Sequence, residues 1–244
     1  MGGWLQPGEL DDSSLMEALQ QFESAFRLVS DPVDRAYAAH SLVDCLWRMG
    51  RKEEARKVLL ETIEGLPEGH FMRIDLEFIH ACWYWHERRF EQALQILDRI
   101  LPKSRAYSDV PEGKGLYRDI QVKRGILLTE FQRPREACPV LEEVLSLELP
   151  DQEKGDVLYN LDVCYYDLER KDLAKEKFQE ALEAGVQRYW AVRAHHYLGL
   201  IHFENRAYAW AKQEFEFCER HADEVGLSRK AILEMLAHTC RRLA

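Results

Sequence analysis

Two short groups of residues carry donor types that bind metal ions: His80, Cys82 and His86 in one stretch, and His195, His196 and His202 in another. A helix offers two ligands to one ion when they share a face, as the i and i+4 histidines of H-E-x-x-H do. His86-Glu87-Arg88-Arg89-Phe90 lacks the second histidine, and His195 and His202 stand two turns apart. No metal site is expected. The six cysteines, Cys45, Cys82, Cys138, Cys164, Cys218 and Cys240, lie far apart with no C-x-x-C pair. Each falls inside a predicted helix, where Cys packs as a small hydrophobe, so six buried free thiols are expected and no disulfide framework. Catalytic signatures are missing too: the chain has no G-x-S-x-G, no G-x-x-x-x-G-K-[ST] and no G-x-G-x-x-G. The charged strings RKEEARK and ERKDLAKEKFQE place opposite charges at helical spacing, which is the pattern of a solvated helix face. The expectation is a protein that is not an enzyme and has no cofactor.

The bulk numbers narrow the partners. At 244 residues, 46% hydrophobic and 31% charged, the chain has the composition of a folded protein. Its net charge of −10 is evenly shared, since residues 1–107 hold 13 Lys and Arg against 18 Asp and Glu, and residues 108–244 hold 20 against 25. Phosphate neutralisation by Lys and Arg supplies most nucleic-acid affinity, so neither a nucleic acid nor an anionic membrane surface is expected as partner. The longest apolar runs fall short of the roughly 20 residues that span a bilayer, and MGGWLQPGEL lacks the basic and apolar regions of a signal peptide. Its Met-Gly start fails as a myristoylation motif because Gln6 stands where Ser or Thr is required. A cytoplasmic protein is expected.

The elements that would position a site are read most clearly at residues 155–185. Leu158, Leu161 and Tyr165 lie at one helical spacing, and Ala174, Phe178 and Ala181 at another, which predicts a helical hairpin. A hairpin of this size cannot bury both apolar faces alone, so copies should stack on it. Copies are present. A small residue followed by packing residues at four and seven recurs as Ala18-Phe22-Ala25, Ala55-Leu59-Thr62, Ala93-Leu97-Ile100, Ala137-Leu141-Val144, Ala174-Phe178-Ala181 and Ala211-Phe215-Cys218. The spacings are 37, 38, 44, 37 and 37 residues. Thirteen residues before each alanine from the second onward stand Leu42, His80, Arg124, Leu161 and Leu198, and four further on Leu46, Tyr84, Leu128, Tyr165 and His202.

Those residues resemble the tetratricopeptide repeat, W-x2-L-G-x2-Y followed by A-x3-F and P. Leu198-Gly199, Ala211-x3-Phe215, Leu161 with Tyr165, Gly125, Tyr84 and Pro67 carry the match, which covers residues 11–244. The period is 37 rather than 34, with the extra residues between one repeat and the next. The resemblance implies an all-α, right-handed α-solenoid of helix-turn-helix repeats with about 12 helices. These are five hairpins, a half repeat at the N-terminus (residues 11–29, capped by Asp12 or Ser13) and a capping helix at 228–243 with Ile232, Leu233, Leu236, Cys240 and Leu243 on one stripe. Hairpin turns are expected at 49–52, 88–90, 131–135, 169–172 and 204–208. Residues 1–10 read as a flexible segment and 11–244 as one domain. The linker PKSRAYSDVPEGKG adds seven residues to the usual spacing, which marks 103–113 as a candidate break, and Pro139 should kink or shorten its helix.

In a stack of this family the first helices line the concave side. Residues pointing away from the packing stripe are then Tyr37, His40, Asp44, Trp47 and Arg48; Phe78 and Trp85; Lys123; Tyr159, Asn160 and Tyr166; and Arg193, His196 and Tyr197. Family members that grip a peptide's terminal carboxylate use Lys and Asn on successive first helices. The comparable sites here read His40 and Asp44, Phe78 and Cys82, Val122 and Ile126, so that clamp is absent. Trp, Tyr and Arg anchor binding hot spots, and an aromatic concave face suits an extended or helical peptide. The expected function is an adaptor for a peptide or protein segment; the alternative is self-assembly through the terminal repeats into a homo-oligomer.

Overall fold

The computed structural model describes residues 12–183 and 185–243, and among these it is built from twelve α-helices and two short 3-10 turns, with no strand. In order the helices are α1 (Asp12–Leu28), α2 (Pro32–Arg48), α3 (Lys52–Glu64), α4 (Phe71–His86), α5 (Phe90–Ser104), α6 (Pro111–Glu130), α7 (Pro134–Leu145), α8 (Asp151–Asp167), α9 (Lys171–Glu183), α10 (Arg188–Glu204), α11 (Tyr208–His221) and α12 (Arg229–Leu243). The expected five hairpins are α2/α3, α4/α5, α6/α7, α8/α9 and α10/α11, with α1 and α12 single. The expectation for residues 1–10 lies outside the described residues. Two compact units are present, dividing between Ile120 and Gln121 within α6.

Each first helix ends in the same way, because the hairpin turn is the same backbone motif five times. The N–H groups of Arg51, Arg89, Arg133, Arg170 and Ala207 reach back to the carbonyls of Leu46, Tyr84, Leu128, Tyr165 and His202 at 2.8 to 2.9 Å. The preceding residue is left-handed each time: Gly50 (φ 75°), Arg88 (59°), Gln132 (54°), Glu169 (59°) and Arg206 (60°). This is the helix-ending geometry that favours glycine, yet only the first turn has one. At the opposite end of α2, Asp31 Oδ1 accepts the N–H groups of Val33 and Asp34 at 2.9 and 3.0 Å, with Pro32 as first helical residue.

The predicted anchors are the core. Ala55, Ala93, Ala137, Ala174 and Ala211 are fully buried, as are Leu59, Leu141, Phe178 and Phe215. In unit 1 the cluster runs through Leu19, Leu42, Leu46, Leu59, Ile63, Leu76, Ile79 and Trp83; near the end of unit 2, Val192, Ala211, Phe215, Cys218, Val225 and Ile232 form another. Glycine sits where first and second helices approach most closely. A Cβ on Gly125 would lie 2.5 Å from Leu141 Cδ2, and one on Gly199 2.7 Å from Phe215 Cε1. Asp162 occupies the same register in α8, one residue after the packing leucine, and is fully buried.

Several expectations need correction. Helix α1 begins at Asp12, and the expected cap at Asp12 or Ser13 falls on side chains outside the described ones. Most of the 102–115 linker is helical: α5 runs to Ser104, a 3-10 turn spans Arg105–Tyr107 and α6 begins at Pro111. Tyr107 secures this segment by donating its hydroxyl to the Gly69 carbonyl at 2.7 Å and meeting Phe71 edge-on at 5.5 Å. Helix α7 passes through Pro139, whose ring points to solvent, and is twelve residues long against 13 to 15 for the other second helices. In α12 the buried face carries Ile232 and Thr239, with Met235 and Leu236 packed beside it; Leu233 and Leu243 are each 48% exposed and Cys240 is exposed. The predicted stripe ran one face too wide, and five cysteines are buried, not six.

Candidate ligand groove

The predicted site residues divide between the units. In unit 1, Tyr37 stands 57% exposed on α2. His40 pairs across to Asp75 on α4 at 3.3 Å, and burial pushes the Asp75 carboxyl up. Asp44 and Arg48 satisfy each other along α2 at 2.9 Å. Trp47 stacks flat on the buried Trp83, centroids 4.3 Å apart, with the Lys52 ammonium 4.9 Å from its ring. Trp85 is half-buried and meets Phe90 edge-on at 6.2 Å, and Phe78 is buried. These side chains mostly join neighbouring helices, which leaves Tyr37 as the outward-facing ring of the set.

In unit 2 the residues come together. Tyr159, buried on α8, touches Trp190 at 4.9 Å, Phe178 at 5.9 Å and Tyr197 at 6.5 Å. Tyr197 on α10 stacks on Phe178 at 5.2 Å and takes the Tyr166 ring edge-on at 5.1 Å. Asn160 is also buried, its amide donating to the Asp156 carbonyl one turn back at 2.8 Å, so it supports α8 rather than facing a ligand. Burial raises the hydroxyl pKa of Tyr159 and Tyr197 alike, keeping both neutral donors. The half-buried rim is Tyr166, Arg193, His196 and Tyr197. Tyr166 donates weakly to Glu204 Oε1 at 3.4 Å, while Lys171 holds Glu204 at 2.8 Å. Lys123, half-buried on α6, lies close enough to Asp156 to oppose the effect of burial on that carboxyl, which is nonetheless pushed up to about 6.

Arg193 shares the lack of an ion pair and hydrogen bond with Arg35, Arg88, Arg170 and Arg206, but those four are exposed and Arg193 is half-buried. Its guanidinium lies 4.8 Å from the Tyr189 ring, and its buried Nε has no acceptor. Among the described residues it makes neither an ion pair nor a hydrogen bond. Its charge, after burial, helps hold the neighbouring His196 below the usual histidine range, so that imidazole is neutral at pH 7. Tyr189 and Trp190 were absent from the sequence-derived set; the run Arg188-Tyr189-Trp190 opening α10, one turn before Arg193, was the available signal.

Neither histidine group assembles a metal site, and among the described residues no cluster of three or more His, Cys, Asp or Glu is placed to hold an ion. His80 is buried, stacked on Tyr84 at 4.5 Å, and pushed down to about 4 by burial and then by the Arg56 charge. His195 bonds Glu214 at 2.6 Å. The charged strings pair as expected, with Arg51 and Glu54 at 2.6 Å and Lys177 and Glu180 at 2.6 Å. No described helix is long and apolar enough to cross a membrane.

No family model matches the chain, and no curated protein is similar enough to match it. Solved structures are. The peptide-free quorum sensor NprR from B. thuringiensis superposes with a TM-score of 0.64 at 16% identity over 94% of this chain, which spans 64% of NprR; NprR with its cognate peptide NprX gives 0.54 at 17% over 88%. BtubC from P. vanneervenii gives 0.58 at 17%, covering 93% of both chains, and MamA from Desulfovibrio magneticus gives 0.56 at 17%, covering 78% of this chain and 94% of that one. Likeness at these identities speaks to fold alone. With matching structures that include proteins described by tetratricopeptide-like repeats, the chain has the fold of a tetratricopeptide-repeat-like α-solenoid.

Proposed function

We propose that this protein is a non-enzymatic adaptor that binds a peptide or protein segment along α8 and α10 of unit 2. The observation that carries the reading is Arg193, a half-buried cation without an anionic or hydrogen-bonding partner among the described residues, standing in aromatic company. Withdrawing a charge from water without a partner is costly, and a bound chain's carbonyl or carboxylate offsets that cost. Tyr166 and Tyr197 supply adjoining apolar area, the residue types that anchor recognition. NprR, of the same fold, binds a cognate peptide, which supports the reading by analogy. In unit 1, considered by itself, the exposed Tyr37 on α2 is a separate candidate contact, and the protein is proposed to be cytoplasmic and without nucleic-acid partners.

The test is selection from a displayed library of random peptides. Binders should weaken by about thirtyfold for Tyr166→Ala and for Arg193→Gln, the loss of a hot-spot side chain, while thermal melting is unchanged. Binders indifferent to both substitutions, or no binders at all, would remove the reading. A second reading, self-assembly through a terminal helix, is favoured by the half-exposed Leu233 and Leu243 on α12. Light scattering over a range of concentrations decides it, since a monomer throughout eliminates it.

A further inference from the structure

Two half repeats of opposite kind stand outside the five hairpins. Helix α1 carries the second-helix anchor Ala18-Phe22-Ala25, and no first helix lies against it among the described residues; α12 follows the second helix α11 and has no second helix of its own. Burial records both gaps. The anchor alanines of the hairpins, from Ala55 to Ala211, are fully buried, and every residue at the third anchor position, from Thr62 to Cys218, is buried too. In α1, by contrast, Ala18, Phe22 and Ala25 are each only half-buried, and Leu28, three residues on, is 84% exposed. On α12, Leu233, Leu236, Cys240 and Leu243 recur at intervals of three and four, which sets them on one stripe. Of these Leu236 packs against the core, while Leu233, Cys240 and Leu243 are exposed.

The two helices also differ in charge. In a chain of net charge −10, α12 holds four Lys or Arg against one Glu, and α1 holds three Asp or Glu against one Arg. Arg229 is tied to Glu219 and Asp223 at 3.3 Å each, but Lys230, Arg241 and Arg242 stand exposed, as does Glu17 on α1.

We propose that α12 of one copy docks on α1 of a second copy, completing between chains the hairpin that each lacks. The proposal names the surfaces for the self-assembly reading above and rests on it. Each face is an apolar stripe short of one neighbour, and a basic helix set on an acidic one selects this pairing over α12 against α12, where like charges would meet. Because the two faces differ, every docking leaves one of each kind free, so copies add head to tail in open rows instead of closing as a pair. The hairpins fix the sense of the contact. In all five, three residues join the first helix to the second, so the C-terminal end of the first lies beside the N-terminal end of the second. Cys240 of one copy therefore lies toward Ser14 of the next, and Leu233 toward Leu28.

Sedimentation velocity of the full chain should show dimers, trimers and larger species as concentration rises, and fewer of them in high salt. Leu233→Glu with Leu243→Glu removes the α12 face, and Ala25→Arg removes the α1 face. Each variant alone is expected to be monomeric, and their equimolar mixture to give one heterodimer and nothing larger, since a single intact face of each kind remains. Cross-linking decides the matter should Ala25→Arg fail to fold. Cys240 is exposed and the other native thiols are buried, so a short bis-maleimide should join Cys240 to position 14 of another copy in the Ser14→Cys protein, and should not reach position 28 in the Leu28→Cys protein. A monomer at every concentration would remove this proposal and the self-assembly reading together, leaving the α1 slot to residues 1–11 or to another protein. Association that survives both face variants, a mixture that stays monomeric, or Cys240 linked to position 28 instead of position 14 would overturn the pairing while self-assembly stands.

Discussion

Replacing Asp162 by alanine should make this protein more stable, and by an amount that depends on pH. The side chain is fully buried on α8, and neither carboxylate oxygen has a hydrogen-bond partner. Lys177, the nearby cation, is engaged with Glu180 at 2.6 Å. Burial first, and the Glu180 charge second, push the carboxyl up to about 10, so it is protonated in the native state and ionised in the unfolded chain at pH 7. The folded pKa lies above the unfolded one. The stability associated with this proton is therefore complete below about pH 4 and declines as pH rises toward the folded value. From an unfolded pKa of about 3.9 to pH 7 is about three units, each worth about 1.4 kcal/mol, giving a loss of about 4 kcal/mol at neutral pH. Alanine removes the titrating group, and Ala81 already occupies the equivalent register in α4 as a buried residue. Urea denaturation of the two proteins between pH 5 and pH 8 should show alanine ahead throughout, with the gap widening by about 1.4 kcal/mol per unit. A gap that does not change with pH, or an alanine variant less stable at every pH, would refute the account of a stranded proton.

Glycine at Arg88, Gln132, Glu169 or Arg206 relieves a left-handed backbone position and should raise stability by about 0.5 to 1 kcal/mol each in thermal or urea melts. Gly155→Ala acts oppositely, because the new Cβ would lie 2.8 Å from Val186 Cα and 2.9 Å from its N; a loss of about 2 to 3 kcal/mol in the same melts is expected. His80 has a folded pKa of about 4, below its unfolded value, so its contribution is present above about pH 6.5 and lost as pH falls toward 4, an acid penalty of about 3 kcal/mol. His80→Leu, which restores the leucine of the repeat, should flatten the stability profile across that window.

The fold was legible because it is written six times. Ala-x3-Phe or Ala-x3-Leu at a 37-residue spacing marks where second helices approach first helices, and every such alanine from Ala55 onward is fully buried. The hairpin turns were legible for the same reason, although four lack the glycine that usually announces them. The groove was less so. Periodicity assigns a residue to a helix face but does not say how far a large ring reaches toward its neighbour. Phe78, Tyr159 and Asn160 lie at outward-facing spacings and are nevertheless buried, because rings such as Trp190 on the next helix close over that face. The α12 stripe erred the opposite way, since Leu233 and Leu243 have the right composition and are each 48% exposed. Tertiary partners decide both cases, and a single sequence does not list them.

The departures from the repeat are informative when taken by register. His80 stands where α2, α8 and α10 place Leu42, Leu161 and Leu198; Asp162 stands where α6 and α10 place Gly125 and Gly199; His202 stands where α8 places Tyr165. All three are buried, and none belongs to the rim formed by Tyr166, Arg193, His196 and Tyr197. His202 retains a partial substitute for lost packing by stacking on Trp210 at 6.3 Å, and His80 on Tyr84 at 4.5 Å; Asp162 has no such substitute, and burial pushes its carboxyl up to about 10. Polar groups at these positions lower stability without offering a ligand anything to touch. Arg193 is polar on the other side of the hairpin, at the rim where the proposed ligand would bind. Under that proposal the same physical fault, a buried polar group without a partner, means strain on one face and a vacancy for recognition on the other.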